Sequence, residues 1–396
     1  MYVPKTAHIP FLSAREDYFD FFDGLASAVP KNLDKRSLPA GLQKSYLLET
    51  VGGEQPSLSA IIARSGYRCE TVSEDKAVHR LVDEHGNGLA VLESFSGRYL
   101  ALYTLLPSAS SDNFVRKMVA SNPLLDHLWI SSESFMSLWS HVREVNSGRR
   151  YGKITFEHES VFESAGDAKD ELNFENERRA SRFTMVDRLD TIAAQLGPLS
   201  SSYAPLASVT NLRIPSPAGG GHELYYDGKV TNRSGSFLDH RSALLHVVDL
   251  YANLTQKVEE SLWVAGQATS QDGLLLNGAV AELVFNEPLA DEVFKRWMIN
   301  LFNNRRNRFR ISGYATWLSA RKVHANAIDQ HLWQPLLLEI TPERLIAVLP
   351  EGTCGNTINR LVSNVQRMVD PRVVAYVGDV EYASLLPGAG KLAGIG

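Results

Sequence analysis

The sequence predicts a multi-domain α+β protein, and three observations carry that expectation. Some stretches alternate polar and apolar residues between hairpin turns, others space apolar residues helically, and 396 residues exceed one ordinary core. At about 150 residues per domain the length suggests two or three domains. Hydrophobic residues make up 44% and charged residues 21%, the balance of a globular chain rather than a disordered or fibrous one.

The first domain is expected over 1–162. Its opening segment, SAREDYFDFFDGLASAV, spaces Tyr18, Phe21, Phe22 and Leu25 as one helix face. The segment HRLVDEHGNGLAVLESFSGRYLALYTLL then reads as a strand meander, with breaks at HGNG and SFSGR. A helix is expected from about Asp112 to Ala120, ending before Asn122-Pro123, because the residue before a proline disfavours helical backbone. LDHLWIS reads as a strand, SESFMSLWSHV as a helix and YGKITFEHESVF as a solvated edge strand.

The middle region, 163–273, opens with an acidic linker, Glu163 to Glu177, which holds six acidic residues against Lys169. A helix is expected over about Glu177–Gln195, followed by the breaker-rich GPLSSSYAPLAS. LRIPSPAGGGHELYYDGKV reads as a hairpin, and a long helix from about Phe237 to Trp263 aligns Leu244, Val248, Tyr251, Val258 and Leu262. The last domain, 274–382, runs strand, helix, two hairpin strands, two further strands, helix and strand. That order predicts a ferredoxin-like split βαβ arrangement with an extra hairpin.

Residues 383–396 read as a Gly-rich tail. Its Gly388, Gly390, Gly394 and Gly396 resemble, over this short stretch alone, the Gly-rich loop of CRISPR-associated RAMP proteins. In those proteins the loop closes a ferredoxin-like domain and contacts RNA.

Charge is distributed unevenly. The net charge is −5, yet the stretch 293–328 contains no acidic residue and eight basic ones, Lys295, Arg296, Arg305, Arg306, Arg308, Arg310, Arg321 and Lys322. At its centre lies FNNRRNRFRISGYATW, residues 302–317. Phe294, Trp297, Met298, Leu301 and Phe302 form an apolar helix face, and Arg305 and Arg306 follow the last turn, where cations offset the helix dipole. In the strand, period-two alternation assigns Phe309, Ile311, Ala315 and Trp317 to the core face and Arg308, Arg310, Ser312, Tyr314 and Thr316 to the other. Lys322, His324 and Asn326 extend that polar face across a hairpin.

Such a face could position phosphates and stack an unpaired base, so Arg305, Arg306, Arg308, Arg310, Tyr314, Arg321, Lys322 and His324 are the candidate nucleic-acid-binding residues. The competing explanation is that these cations pair with carboxylates elsewhere in the chain or on another subunit. No aromatic-rich RNA-binding signature accompanies them.

Catalytic and metal motifs are weak. PEGTCGNTIN brings Gly352 and Gly355 to a helix N-terminus without a P-loop lysine, and Thr353 or Asn356 reads as an ordinary N-cap. Asp239, His240, His246 and Asp249 suggest a metal-dependent hydrolase, but Ser236 and Asp239 equally fit a helix start, and further ligands are missing. Cys69 and Cys354 have no CxxC partner and form neither a disulfide framework nor a zinc site. No catalytic residue, metal ligand or cofactor is expected.

The opening residues lack a basic segment followed by an apolar one, and the most apolar stretch falls short of the roughly 20 residues of a membrane span. The expectation is a cytoplasmic binding or adaptor protein with a nucleic-acid partner, DNA or RNA, and no membrane partner. An assembly subunit, docking a protein partner or forming a homo-oligomer, is the first alternative, and an unrecognised phosphate-ester hydrolase or nuclease the second.

Overall fold

A computed structural model describes residues 8–28, 42–51, 56–72, 75–159, 180–268, 274–302 and 308–388. The acidic stretch Glu163 to Glu177, Arg305, Arg306, Gly390, Gly394 and Gly396 lie outside the described residues. Eight helices and twenty strands are found among the described residues, which makes the chain mixed α+β.

In chain order the elements begin with α1 (Arg15–Ser27), β1 (Lys44–Thr50), α2 (Leu58–Ala63), β2 (Arg68–Val72), β3 (Asp75–Val82), β4 (Gly88–Ser94) and β5 (Tyr99–Thr104). Next come α3 (Ser108–Ala120), β6 (Leu125–His127), α4 (Ser132–Val145), β7 (Tyr151–Glu159), β8 (Ala180–Arg188) and α5 (Leu189–Ser202). Then β9 (Val209–Pro215), β10 (Gly221–Tyr225), β11 (Lys229–Asn232) and α6 (Phe237–Leu262) follow. The last part contains β12 (Ala265–Ala268), β13 (Leu274–Asn277), β14 (Ala281–Val284), α7 (Asp291–Leu301), β15 (Ile311–Ser319) and β16 (Lys322–Asp329). It closes with β17 (Gln334–Ile340), β18 (Arg344–Val348), α8 (Asn356–Met368), β19 (Val374–Val377) and β20 (Val380–Glu381).

The chain divides into two compact units that alternate along the sequence. Unit 1 comprises Met1–Leu128, Arg150–Gly152 and Leu212–Asp249; unit 2 comprises Trp129–Arg149, Lys153–Asn211 and Leu250–Gly396.

In unit 1 the strand order is β2-β3-β4-β5-β1-β11-β10, with β6 also paired to β1. The predicted meander is β3 to β5, and its turn residues set antiparallel registers such as Leu92 opposite Leu102. Strand β1 is buried along its whole length because β5, β6 and β11 all pair with it. The core against it is built from Tyr46, Leu48, Leu81, Leu92, Leu102, Phe114 and Met118. Helix α1 forms where its spacing predicts, with Tyr18, Phe22 and Ala26 buried at i, i+4 and i+8, while Leu25 points to solvent.

In unit 2 a seven-stranded sheet runs β15-β16-β17-β18-β14-β19-β20, with each neighbouring pair antiparallel. Helix α7 covers one end of it, where Phe294 meets Trp317 edge-on at 5.7 Å and Trp297 meets Phe285 at 5.7 Å.

One expected helix is replaced. Over Glu177–Gln195 the described chain forms strand β8 and then α5, which continues through Gly197 and Pro198 to Ser202. Lateral pairing beside β7, with Thr155 and Thr184 hydroxyls 3.1 Å apart, overrides a weak helical spacing. The hydroxyls of Ser200 and Ser201 donate to the Gly197 carbonyl and support the turn around the proline.

Candidate binding edge of the seven-stranded sheet

The expected cationic face does not form as one surface. Arg310 adopts φ +54 and is buried, so strand geometry begins only at Ile311 and the alternation that would align Arg308 and Arg310 with Tyr314 is broken. Arg308 lies before the strand, and its Nη1 donates to Glu159 Oε2 at 2.6 Å. Arg321 pairs with Asp291 and Glu343, each at 3.0 Å. Lys322 and His324 share Glu339 at 2.8 and 2.7 Å, and these two hydrogen bonds hold the Glu339 carboxyl below the usual range. Four of the candidate cations therefore have carboxylate partners inside the chain: Glu159 comes from a strand distant in sequence, and Asp291, Glu339 and Glu343 come from elements near β15 and β16.

Glu159 is the residue that sequence reasoning missed. YGKITFEHESVF reads as a solvated edge, but β7 lies between β9 and β8 and buries both His158 and Glu159. Burial alone would raise the Glu159 carboxyl; Arg367 and Arg308 outweigh it and bring the group below the ordinary range.

Arg367 belongs to α8, all thirteen residues of which are buried. Its apolar face carries Ile358, Leu361, Val362 and Val365, and most of its polar atoms have partners, the Asn364 side-chain oxygen excepted among the described residues. Arg360 pairs with Asp329 at 2.5 Å and donates from Nε to the Phe309 carbonyl at 2.7 Å. Asn359 donates to Thr255 at 2.9 Å and accepts from the Tyr382 hydroxyl at 2.8 Å. Gln366 donates to Glu133 at 2.6 Å and accepts from the Ser132 backbone at 3.0 Å. The candidate anion site at the start of α8 is filled from within: the Gly355 N–H donates to Glu259 Oε1 at 2.8 Å. Gly355 is itself the N-cap, and neither Thr353 nor Asn356 occupies that position.

The hydrolase cluster also resolves into structure. In unit 1, the Ser236 hydroxyl accepts from the Asp239 N–H at 3.2 Å, the helix start that the spacing allowed. His240 lies 2.8 Å from the Ser45 hydroxyl and 3.2 Å from His222, with all three residues buried. Burial holds the His222 imidazole down to about 4 and that of His240 well below its ordinary value. This chain of hydrogen bonds has the residue types of an acyl-transfer relay, but Ser45 has no exposed surface through which a substrate could reach it.

What remains open to solvent is β15 itself. The strand is the terminal one of its sheet, and among the described residues it pairs with β16 alone. Its nine residues, ISGYATWLS, include no charge and no proline. Tyr314 is 87% exposed, Leu318 55% and Trp317 42%; the last keeps the core side that alternation assigned to it, against Phe294, but is only partly covered there. Beside the edge lies a groove of about 380 Å³, lined by Met298, Ile299 and Phe302 from α7 and by Gly313, Tyr314, Ala315 and Trp317 from β15. Ile299, at 71% exposure, stands on its rim. The apolar helix face expected from sequence thus splits. Phe294, Trp297, Met298 and Leu301 are buried, while Phe302 is only partly covered and faces the groove.

Comparison with known proteins places the chain in a family. Residues 25–383 match the model of the MJECL33-like protein family, and the chain belongs to it. It is also 24% identical over 365 residues to the uncharacterized protein MJECL33 of Methanocaldococcus jannaschii, covering 84% of this chain and 86% of that one.

Proposed function

We propose that this MJECL33-like protein is a non-catalytic binding component, an adaptor or assembly subunit whose working surface is the β15 edge with its groove. One observation carries the reading: a long, uncharged strand edge lies directly beside an apolar groove. A strand unpaired on one side offers alternate N–H and C=O groups to an incoming extended segment, and the groove accepts that segment's side chains. The partner class is a protein that presents an extended, apolar strand. Arg321, Lys322 and His324, already paired with carboxylates, serve as a polar rim; an acidic partner would have to displace Asp291, Glu339 and Glu343.

The strand order supports reading the β14 to β19 array as a ferredoxin-like split βαβ arrangement. β18 lies between β17 and β14, and β19 flanks β14 on its other side. The β15–β16 hairpin is then an addition at the sheet's end, and its outer strand forms the proposed surface.

Nucleic-acid binding is a second reading, favoured by the 87% exposure of Tyr314, which could stack a base. The ion pairs of Arg308, Arg321 and Lys322 weigh against it, since phosphate would compete with a bound carboxylate for each. A cytoplasmic setting is consistent with two free thiols, Cys69 and Cys354. No described helix is long and apolar enough to cross a membrane.

The test is titration of the purified chain, followed by calorimetry, with an uncharged strand-forming peptide, a charged control peptide, and single-stranded DNA and RNA at low salt. The expected result is binding of the uncharged peptide, weakened at least about tenfold by Ile299→Asp at the groove rim. Binding of nucleic acid alone, lost in Arg308→Glu, would replace this reading with the second.

A further inference from the structure

We infer that the strand received by β15 is β15 of a second copy of this chain, paired antiparallel about a two-fold axis through Ala315. The inference rests on the proposed use of the β15 edge and names its partner.

Self-complementarity supplies the argument. Residues 311–319 centre on Ala315, and a two-fold axis there sets each residue opposite the one equally far on the other side. Trp317 then opposes Gly313 and Tyr314 opposes Thr316, a large side chain meeting a small or short one in each pair. Ala315 meets itself. The β15–β16 register shifts between Trp317 and Ser319, so these central pairs, rather than the strand's end, define the contact.

Directly opposed residues of an antiparallel pair point to the same side of the sheet, with Cβ atoms roughly 4.5–5.5 Å apart. The Trp317 indole of one copy therefore lies over the side-chain-free Gly313 of the other. Met298 and Ile299 line the groove on that side. At Gly313 an added Cβ would already come within 3.0–3.1 Å of Ala327 in the same chain, so the position stays small and leaves room for the indole.

Charge points the same way. Two identical edges meet without repulsion only if they carry no net charge, and β15 carries none between Ile311 and Ser319. Exposed edges that remain solitary are shortened, charged or interrupted by proline. The opposite end of this sheet follows that rule: β20 has two residues, one of them Glu381.

Sedimentation equilibrium of the full chain from about 1 to 100 µM tests the inference by mass action. The wild type is expected to be a dimer that dissociates on dilution. Tyr314→Lys combined with Thr316→Lys sets lysine against lysine in both central pairs and should raise the dimer Kd at least about tenfold. Tyr314→Lys combined with Thr316→Glu sets lysine against glutamate in the same pairs and should restore the dimer. Thermal melting of both variants checks that the fold is retained.

A wild type that stays monomeric throughout, or a dimer indifferent to the double lysine variant, overturns the inference. So does failure of the lysine–glutamate variant to dimerise. Peptide titration separates the two levels: a monomer that still binds the uncharged peptide loses only the second copy, whereas a monomer that binds none loses the edge as a binding surface too.

Discussion

Helix α8 keeps Asn359, Arg360, Asn364 and Arg367 out of water, whereas strand β15 leaves Tyr314, Trp317 and Leu318 in it. Both belong to unit 2, and each reverses the ordinary rule for where polarity goes. In α8 the reversal is compensated inside the chain, because carboxylates, carbonyls and hydroxyls from six or more distant segments meet the helix. In β15 the cover is partial: Phe294 of α7 packs edge-on against Trp317, while Tyr314 and Leu318 stay largely exposed. Buried polar groups with matched partners fix one arrangement of the interior, and exposed apolar groups are what the proposed association would bury. Substitutions should accordingly change stability at α8 and association at β15.

The largest effect is expected from Arg360→Met, which leaves Asp329 buried without its cation and should cost about 3–5 kcal/mol in urea unfolding. The double variant Arg360→Met with Asp329→Leu removes both charges and should recover most of that loss. Failure to recover would mean that the pair, rather than the uncompensated charge, carries the stability.

Glu159→Gln comes next, at about 1–3 kcal/mol near neutral pH, since Arg367 loses its ionised partner. The Glu159 carboxyl titrates below its ordinary range in the folded chain, so its contribution is present above the unfolded value of roughly 4.3 and fades as pH falls further. The gap between wild type and Glu159→Gln should therefore be wide at pH 7 and shrink as pH is lowered below the unfolded value.

Unit 1 also loses stability on acidification, but through a buried imidazole and over a higher pH window. His222 titrates near 4 when folded against an ordinary 6.5, so the unfolded chain binds more protons between those values. Stability should drop as pH is lowered from 6.5 toward 4, and His222→Gln should flatten that part of the profile.

Asn359→Ala is expected to cost about 1–3 kcal/mol, because the Thr255 and Tyr382 hydroxyls lose their buried partner. The smallest change in stability belongs to β15: Tyr314→Ser should stay within about 0.5 kcal/mol of wild type when measured on the monomer. An α8 substitution that altered association but not stability, or a β15 substitution that did the converse, would break the comparison.

Much of unit 2 was legible before any coordinates. α7, β15 to β18, α8 and β19 all form where spacing and turn residues indicate, because their patterns reflect local backbone geometry and one buried face. β8 was misread as helix because its stability comes from pairing beside β7, a contact far away in sequence. The candidate site was half legible. The uncharged, aromatic run ISGYATWLS is plain in the sequence, and so is the cluster of cations around it. Nothing local indicates that Glu159, Glu339 and Asp291 will return to those cations, or that a single residue, Arg310, will take a positive φ and cancel the alternation.

The sequence by itself determined the mixed α+β class, the main elements of residues 274–382 and the asymmetry of charge, because each follows from composition or from a period of 2 or 3.6 residues. Only the tertiary structure decided which strand lies at the end of its sheet, which cations are neutralised, and that a helix as polar as α8 is wholly enclosed. Those depend on groups that separate elements bring together, from hairpin neighbours such as Lys322 and Glu339 to pairs as far apart as Glu159 and Arg367. No local period records such meetings, and they are what broke up the expected basic face and left an uncharged strand at the end of the sheet.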